Sequence, residues 1–273
     1  MRWNVTYLCL YNELIMVTSI CFTSPKEVFV MFQLPHLIVL AVTAALIPVV
    51  WRRASRLDQA AAARYVKVCA LLAVLFDPVY WVWEIRSFGS IDPATTLPLY
   101  LCSLFWLLLP LAAFAREGIV RQTAAASLCT IVMLCGVLGL VFNVYLNHYP
   151  FFSFVPLRSL LYHMLMILVP TGMWASGYYR PQPRDRFLFF IPVLLLVAVS
   201  LPLNRLYGWD YCYTAGGTGT PLALLSARMP KIFFLLLLYG SLLLIIQFLF
   251  YRRFSRLAAS LSGATRNLMD RSL

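Results

Sequence analysis

A cluster of acidic and aromatic residues interrupts one of the most apolar parts of the chain. Asp77, Tyr80, Trp81 and Glu84 are spaced at i, i+3, i+4 and i+7, so a helix would place all four on one face. An ionisable side chain inside a membrane span costs roughly 2.5–3.5 kcal/mol. We therefore expect this face to point into a helix bundle. Pro78 lies within the cluster and predicts a kink that frees a backbone carbonyl beside the same face.

Cys102 and His163 are the candidate catalytic residues. A thiol and an imidazole from different helices can form a nucleophile–base pair for acyl transfer. A buried thiol is more often a packing residue, so residue type alone does not select this role. The other polar or aromatic residues that we place in the same pocket, besides the acidic cluster, are His36, Tyr100, Arg158, Ser159, Asn204, Asp210 and Tyr211.

Two interpretations of these polar residues remain open. Interhelical hydrogen bonds commonly hold membrane bundles together, which is the structural interpretation. Intramembrane ionisable groups also mark functional pockets, which is the alternative. The sequence has no His pair at i, i+4 and no Cys-x-x-Cys motif, so we expect no metal and no cofactor.

Long uncharged runs supply the elements that must position these side chains. The chain is 62% hydrophobic and only 12% charged, about half the charge usual in a soluble domain. Runs of about 18–20 residues match the thickness of the hydrocarbon core, and only helices satisfy their own backbone there. We predict an all-α transmembrane bundle of about seven spans in residues 31–251, at about 34–51, 65–83, 97–115, 123–142, 154–176, 187–203 and 232–251.

The placement of basic residues predicts the orientation. Fifteen of the 22 Lys and Arg residues fall after spans one, three and five or in the C-terminal tail. They are Arg52, Arg53, Arg56, Arg64, Lys67, Arg116, Arg121, Arg180, Arg184, Arg186, Arg252, Arg253, Arg256, Arg266 and Arg271. Cytoplasmic loops carry this excess, so the N-terminus is predicted outside and the C-terminus inside. The net charge of +12 then needs no nucleic-acid partner.

This topology places the candidate residues in the outer half of the membrane. Helical rise along span three, counted from Leu97, puts Cys102 about 8 Å below the outer boundary. The same rise along span five puts His163 about 12–14 Å below it. Helix ends are uncertain enough for the two side chains to share a level. Residues 1–30 are predicted to form an interfacial segment, and residues 252–273 a basic tail along anionic headgroups. Seven cysteines, an odd number, argue against a disulfide framework.

Several short motifs resemble the bacterial YwaF-type integral membrane family over residues 30–250. Leu97-Pro98-Leu99-Tyr100-Leu101-Cys102-Ser103 is similar to its Leu-Pro-Leu-His-Leu-Cys signature, with Tyr100 in place of the histidine. His36, His148–Phe154, Ser159, His163 and the segment from Asn204 to Pro221 resemble its other motifs, with Asp210 in place of an asparagine. That family resembles a eukaryotic transmembrane acyltransferase that remodels ether phospholipids.

The resemblance implies that Cys102 is a nucleophile and His163 its base. The leading hypothesis is a multi-pass inner-membrane protein with an outward-facing pocket that acts on a lipid or another acyl substrate, with membrane lipids as partners. The alternatives are a transporter or lipid-binding protein, and a structural or assembly protein without catalysis. The sequence does not indicate an oligomeric state.

Overall fold

The computed structural model describes residues 32–217, 220 and 222–251, and this part of the chain is all-helical. The predicted N-terminal segment and basic tail, with Cys9 and Cys21, lie outside the described residues. The described helices are α1 Leu34–Ala54, α2 Gln59–Val74, α3 Phe76–Phe88, α4 Pro93–Thr96, α5 Leu104–Phe114, α6 Ile119–Ser127, α7 Met133–Val141, α8 Phe154–Ala175, α9 Asp185–Leu188, α10 Ile191–Tyr207, α11 Leu222–Ser226 and α12 Lys231–Ile246. Short 3₁₀ turns lie at Leu101–Ser103, Val144–Asn147 and Tyr211–Tyr213, and π-helical turns at Leu128–Val132 and Gln247–Tyr251.

In the part of the chain that the structure describes, six helical segments are long and apolar enough to cross a membrane. They are Leu34–Ala54, Gln59–Phe88, Ile119–Asn147, Phe154–Ala175, Asp185–Tyr207 and Lys231–Tyr251. Each matches a predicted span, so six predicted spans are confirmed as helices. Arg64 and Lys67 were placed in a connection, which is wrong, because α2 begins at Gln59 and includes both residues.

The third predicted span is shorter than expected. Leu97 and Tyr100 are extended, and the apolar helical segment runs only from Leu101 to Phe114, about 21 Å at helical rise. The depth of Cys102 counted along a helix from Leu97 is therefore wrong. One face of this helix is fully buried, at Phe105, Leu109 and Ala112. The extended residues before it bond to other parts of the protein, because the Leu97 amide donates to the Tyr211 hydroxyl and the Leu99 carbonyl accepts from the Cys212 thiol. Non-helical backbone at membrane depth is tolerated where protein buries it, which explains the short span.

Pro78 separates α2 from α3, as its position predicted. Proline has no amide to donate to the carbonyl four residues earlier, which is that of Val74. The indole Nε1–H of Trp106, from α5, donates to this carbonyl at 3.1 Å. The break therefore joins α5 to the end of α2 by a side-chain hydrogen bond.

Glycines allow α7 and α8 to pack closely. A Cβ on Gly136 would lie 2.8 Å from Cβ of Met166, and a Cβ on Gly139 would lie 2.2 Å from Nε2 of His163. Small residues at such crossings let helix backbones approach each other. The position of the His163 ring thus depends on the absence of a side chain at Gly139.

Candidate functional site

The centre of the candidate site is an ion pair between α3 and α8. A guanidinium nitrogen of Arg158 lies 2.5 Å from Oδ1 of Asp77, and the two side chains are only 16% and 14% exposed. Arg158 also donates through Nε to the carbonyl of Phe76 at 3.3 Å and lies 4.5 Å from the centre of the Tyr80 ring. The charge of the acid in this cluster is thus neutralised inside the bundle.

The acidic face of α3 points away from lipid. Glu84 is 4% exposed, whereas Val79, Val82 and Ile85 on the opposite side are 47–53% exposed. Glu84 accepts hydrogen bonds from Oγ1 of Thr96 at 2.6 Å and from the amide of Asp92 at 3.3 Å. Its carboxylate therefore holds the α3–α4 connection in place.

Cys102 lies in the first turn that follows the extended Leu97–Tyr100 segment. Its carbonyl accepts a hydrogen bond from the hydroxyl of Tyr162 at 3.2 Å, and Asp77 and Arg158 lie within electrostatic range of its thiol. Tyr100 and Tyr145 also lie within electrostatic range of this thiol. Cys102 is half-buried.

Helix α8 presents two polar faces to different neighbours. Arg158 and Tyr162 face the Asp77 and Cys102 side, while Ser159 and His163 face α7. Nδ1 of His163 lies 2.7 Å from the carbonyl oxygen of Ser159 and must donate, because a carbonyl only accepts. This assigns Nε2 as the unprotonated nitrogen. No hydrogen bond joins the Cys102 thiol to this imidazole within the described residues.

Asn143 connects the His163 face to the loop after α7. Its side-chain amide donates to Oγ of Ser159 at 3.0 Å, and its Oδ1 accepts from the amide of Tyr145 at 3.2 Å. Asn143 is 2% exposed. The sequence analysis did not single it out, although a lone Asn just after an apolar run was a usable signal.

A compact cap follows α10 and covers the extended segment before Cys102. The Asn204 side chain pairs with the Tyr211 backbone in both directions, at 2.7 and 3.0 Å. The Tyr211 hydroxyl donates to the Pro93 carbonyl at 2.5 Å and accepts from the Leu97 amide at 2.9 Å. Burial raises the pKa of Tyr211 to about 12, so its hydroxyl keeps the donated proton at neutral pH.

Asp210 orders the glycine-rich loop next to this cap. Its two carboxylate oxygens accept hydrogen bonds from the amides of Ala215 and Gly217, each at 2.7 Å. Tyr100 packs on Tyr211 with ring centres 4.8 Å apart, which brings the cap against the turn that carries Cys102. The thiol of Cys212 donates to the Leu99 carbonyl at 3.0 Å.

His36 and Trp81 lie outside this central cluster. Nδ1 of His36 accepts from the Phe32 amide at 3.0 Å, and Nε2 donates to the Leu140 carbonyl at 2.8 Å. Nε2 therefore joins α1 to α7, whereas Nδ1 fixes Phe32, just before α1. Trp81 packs against Trp106 with ring centres 6.3 Å apart.

The structure thus brings together Asp77, Tyr80, Tyr100, Cys102 and Arg158 as one cluster. The α7 side of the cluster adjoins Ser159 and His163. The cap that contains Asn204, Asp210 and Tyr211 covers its Tyr100 side. Among the described residues, no three His, Cys, Asp or Glu side chains meet as metal ligands. The arrangement offers a thiol, an imidazole and a compensated charge pair within one region of the bundle.

Comparison with known proteins identifies the family of the chain. A sequence model of the TMEM164 family matches residues 29–251, which include all candidate residues named above. The chain belongs to the TMEM164 family. No curated protein and no solved structure matches it significantly. As a TMEM164 family protein with six long apolar helices, the chain is a multi-pass membrane protein.

Proposed function

We propose that this TMEM164 family protein transfers acyl groups between lipids through a thioester on Cys102, with His163 as the base. The pocket faces the predicted outer side, and the protein resides in a bacterial inner membrane. The observation that carries the proposal is the half-buried position of Cys102 next to the Asp77–Arg158 pair. Tyr162 links the two, because its hydroxyl donates to the Cys102 carbonyl and its ring centre lies 5.8 Å from the Arg158 guanidinium. The Leu97–Ser103 motif resembles that of the YwaF-type family, which in turn resembles a Cys/His acyltransferase, and this supports the same assignment.

Acyl transfer through a thioester requires that the Cys102 thiol is regenerated at the end of each cycle. Nε2 of His163 takes the proton of the Cys102 thiol, and the thiolate attacks the ester carbonyl of a donor lipid. A thioester forms, the ester C–O bond breaks, and the leaving alcohol takes the proton from His163. The hydroxyl of an acceptor lipid then attacks the thioester and gives its proton to His163, and the proton returns to the Cys102 sulfur.

The hydrogen bonds of His163 suit this role. The Ser159 carbonyl fixes the proton on Nδ1 and leaves Nε2 as an acceptor, the state that a general base requires. Catalytic hydrogen bonds are often formed only in the substrate complex. The proposal therefore requires substrate binding to bring the thiol and Nε2 within hydrogen-bond reach.

The transport alternative has less support from the same contacts. A transport path lined by acids needs carboxylates that can bind a substrate or ion. Asp77 is paired with Arg158, and Glu84 is held by Thr96 and Asp92. These partners favour a role of both acids in shaping the pocket.

The test is acyl exchange by purified protein in nanodiscs that contain a labelled diacyl phospholipid and a lysophospholipid acceptor. Cys102→Ala should abolish exchange, and His163→Ala should lower its rate by about 10²–10⁴-fold. Cys135→Ala is the matched control, since Cys135 is also an enclosed, partly accessible thiol close to Cys102. It should keep wild-type exchange.

Two results would contradict the proposal. Exchange retained by folded Cys102→Ala would remove the nucleophile, and equal loss in Cys135→Ala and Cys102→Ala would point to packing rather than chemistry. Far-UV circular dichroism and size-exclusion profiles establish that each variant is folded.

A further inference from the structure

A cavity of about 520 Å³ lies at the end of the bundle opposite the cap. It is formed where α2 and α6 begin and where α5 and α8 end, which is the predicted cytoplasmic side. Its walls contain small side chains, including Ala63, Ala115 and Gly177. These short side chains leave room for a ligand. The cavity lies beside the arginine-rich loops of the predicted cytoplasmic side.

Two cations line this cavity. Arg121 is held in place because one guanidinium nitrogen donates to the Tyr178 hydroxyl at 3.1 Å, and its Cζ lies 5.1 Å from the centre of that ring. A guanidinium has five N–H donors, so most remain available. The ammonium of Lys67 is exposed and has neither a hydrogen bond nor an ion pair with any described residue.

One carboxylate, that of Glu117, also lines the cavity, but it does not neutralise the two cations. Glu117 lies 3.5 Å from Arg121, but its side chain is 92% exposed. Exposed ion pairs of this kind contribute little, so an anion of higher charge can compete for the guanidinium. Helix α6 starts here without a side-chain cap at Gly118, and its free amides add positive potential.

We infer that this cavity binds a phosphate-bearing anion through Lys67 and Arg121. Planar guanidinium and mobile ammonium donors are the usual partners of phosphate oxygens. Phe114, half-exposed at the rim, and the alanine walls provide an apolar surface beside the cations. The ligand is either the headgroup of an anionic phospholipid or a soluble phosphate, since both carry the same chemistry. The site is distinct from Cys102 and does not depend on acyl transfer.

The experiment compares two double variants of the full chain with equal charge change. Lys67→Gln/Arg121→Gln removes the cavity cations, whereas Arg52→Gln/Arg53→Gln removes two exposed cations of α1 on the same side. Proteins are reconstituted in vesicles of phosphatidylglycerol and phosphatidylcholine, and retained lipid is measured by native mass spectrometry. Titration calorimetry with inorganic phosphate tests the soluble ligand.

Selective retention of phosphatidylglycerol supports a lipid headgroup if it falls in the cavity variant only. The expected fall is about thirty-fold, the change that two cations near an anionic surface produce. Phosphate binding with the same variant pattern supports a soluble anion. Equal losses in both double variants, or no preference for either anion in the wild-type protein, would overturn the inference.

A second pair of variants covers the case in which the double variant fails to fold. Ala63→Phe narrows the cavity and keeps both charges, so it should also weaken binding. Lys67→Arg keeps the charge and should retain binding. Unchanged binding in folded Ala63→Phe would show that the anion binds elsewhere.

Discussion

Removing one member of the Asp77–Arg158 pair should destabilise the protein strongly. Asp77→Ala leaves a guanidinium inside the bundle without its counter-ion, which typically costs about 3–5 kcal/mol. Arg158→Met should cost less than Asp77→Ala, because a stranded carboxylate can bind a proton whereas a guanidinium does not lose one. The order of the two single variants thus follows from their protonation chemistry.

The double variant should cost much less than the sum of the single variants. Asp77→Ala/Arg158→Met removes both charges and forfeits mainly the hydrogen bond to Phe76 and the stacking on Tyr80. These contacts are worth about 2–4 kcal/mol together. We therefore expect a coupling energy of about 2–3 kcal/mol between the two sites.

The assay is SDS-induced unfolding in mixed micelles, followed by far-UV circular dichroism. Val79→Ala is the control, since this residue lies on the same helix, is 53% exposed, and should change stability by no more than about 0.5 kcal/mol. Additive costs, or a cost of Asp77→Ala below about 1 kcal/mol, would refute the claim that this pair is buried and coupled.

Two further substitutions test the packing around the site. Gly139→Ala should cost about 1–3 kcal/mol, because its Cβ would collide with the His163 ring, whereas Gly240→Ala meets nothing within 4 Å and should be neutral or slightly stabilising in thermal unfolding. Trp106→Phe should cost about 1 kcal/mol by removing the donor to the carbonyl that Pro78 leaves free. Pro78→Ala supplies an amide to that carbonyl, so adding it to Trp106→Phe should lower the penalty, and an unchanged penalty would contradict this account.

Membrane insertion and the inward acidic face were predictable because both follow from solvation. A run such as Ile232–Tyr251 has no charge, and water is absent from the bilayer core, so a helix is the only outcome. Asp77 and Glu84 are too costly in lipid to face it, which fixed the rotation of α3. The freed carbonyl near Pro78 followed from the missing amide of proline alone.

The contacts between helices were not predictable from the same sequence. Periodicity placed Ser159 and His163 on one face of α8 but did not indicate which neighbour that face meets. Gly139 decides this, because only a glycine on α7 admits the ring at that distance. The short third span also escaped prediction, since Leu97 and Leu99 are as apolar as helical residues. The Tyr211 hydroxyl that accepts a hydrogen bond from the Leu97 amide lies far away in sequence.

The most direct test of the acyl-transfer proposal is to capture the intermediate on Cys102. Purified protein is incubated with a diacyl phospholipid without an acceptor, quenched in acid, and analysed by intact and peptide mass spectrometry. We predict one acyl adduct on the peptide that contains Cys102, released by hydroxylamine and absent in Cys102→Ala. An adduct on Cys135 instead, or rapid exchange without any adduct on Cys102, would contradict the account.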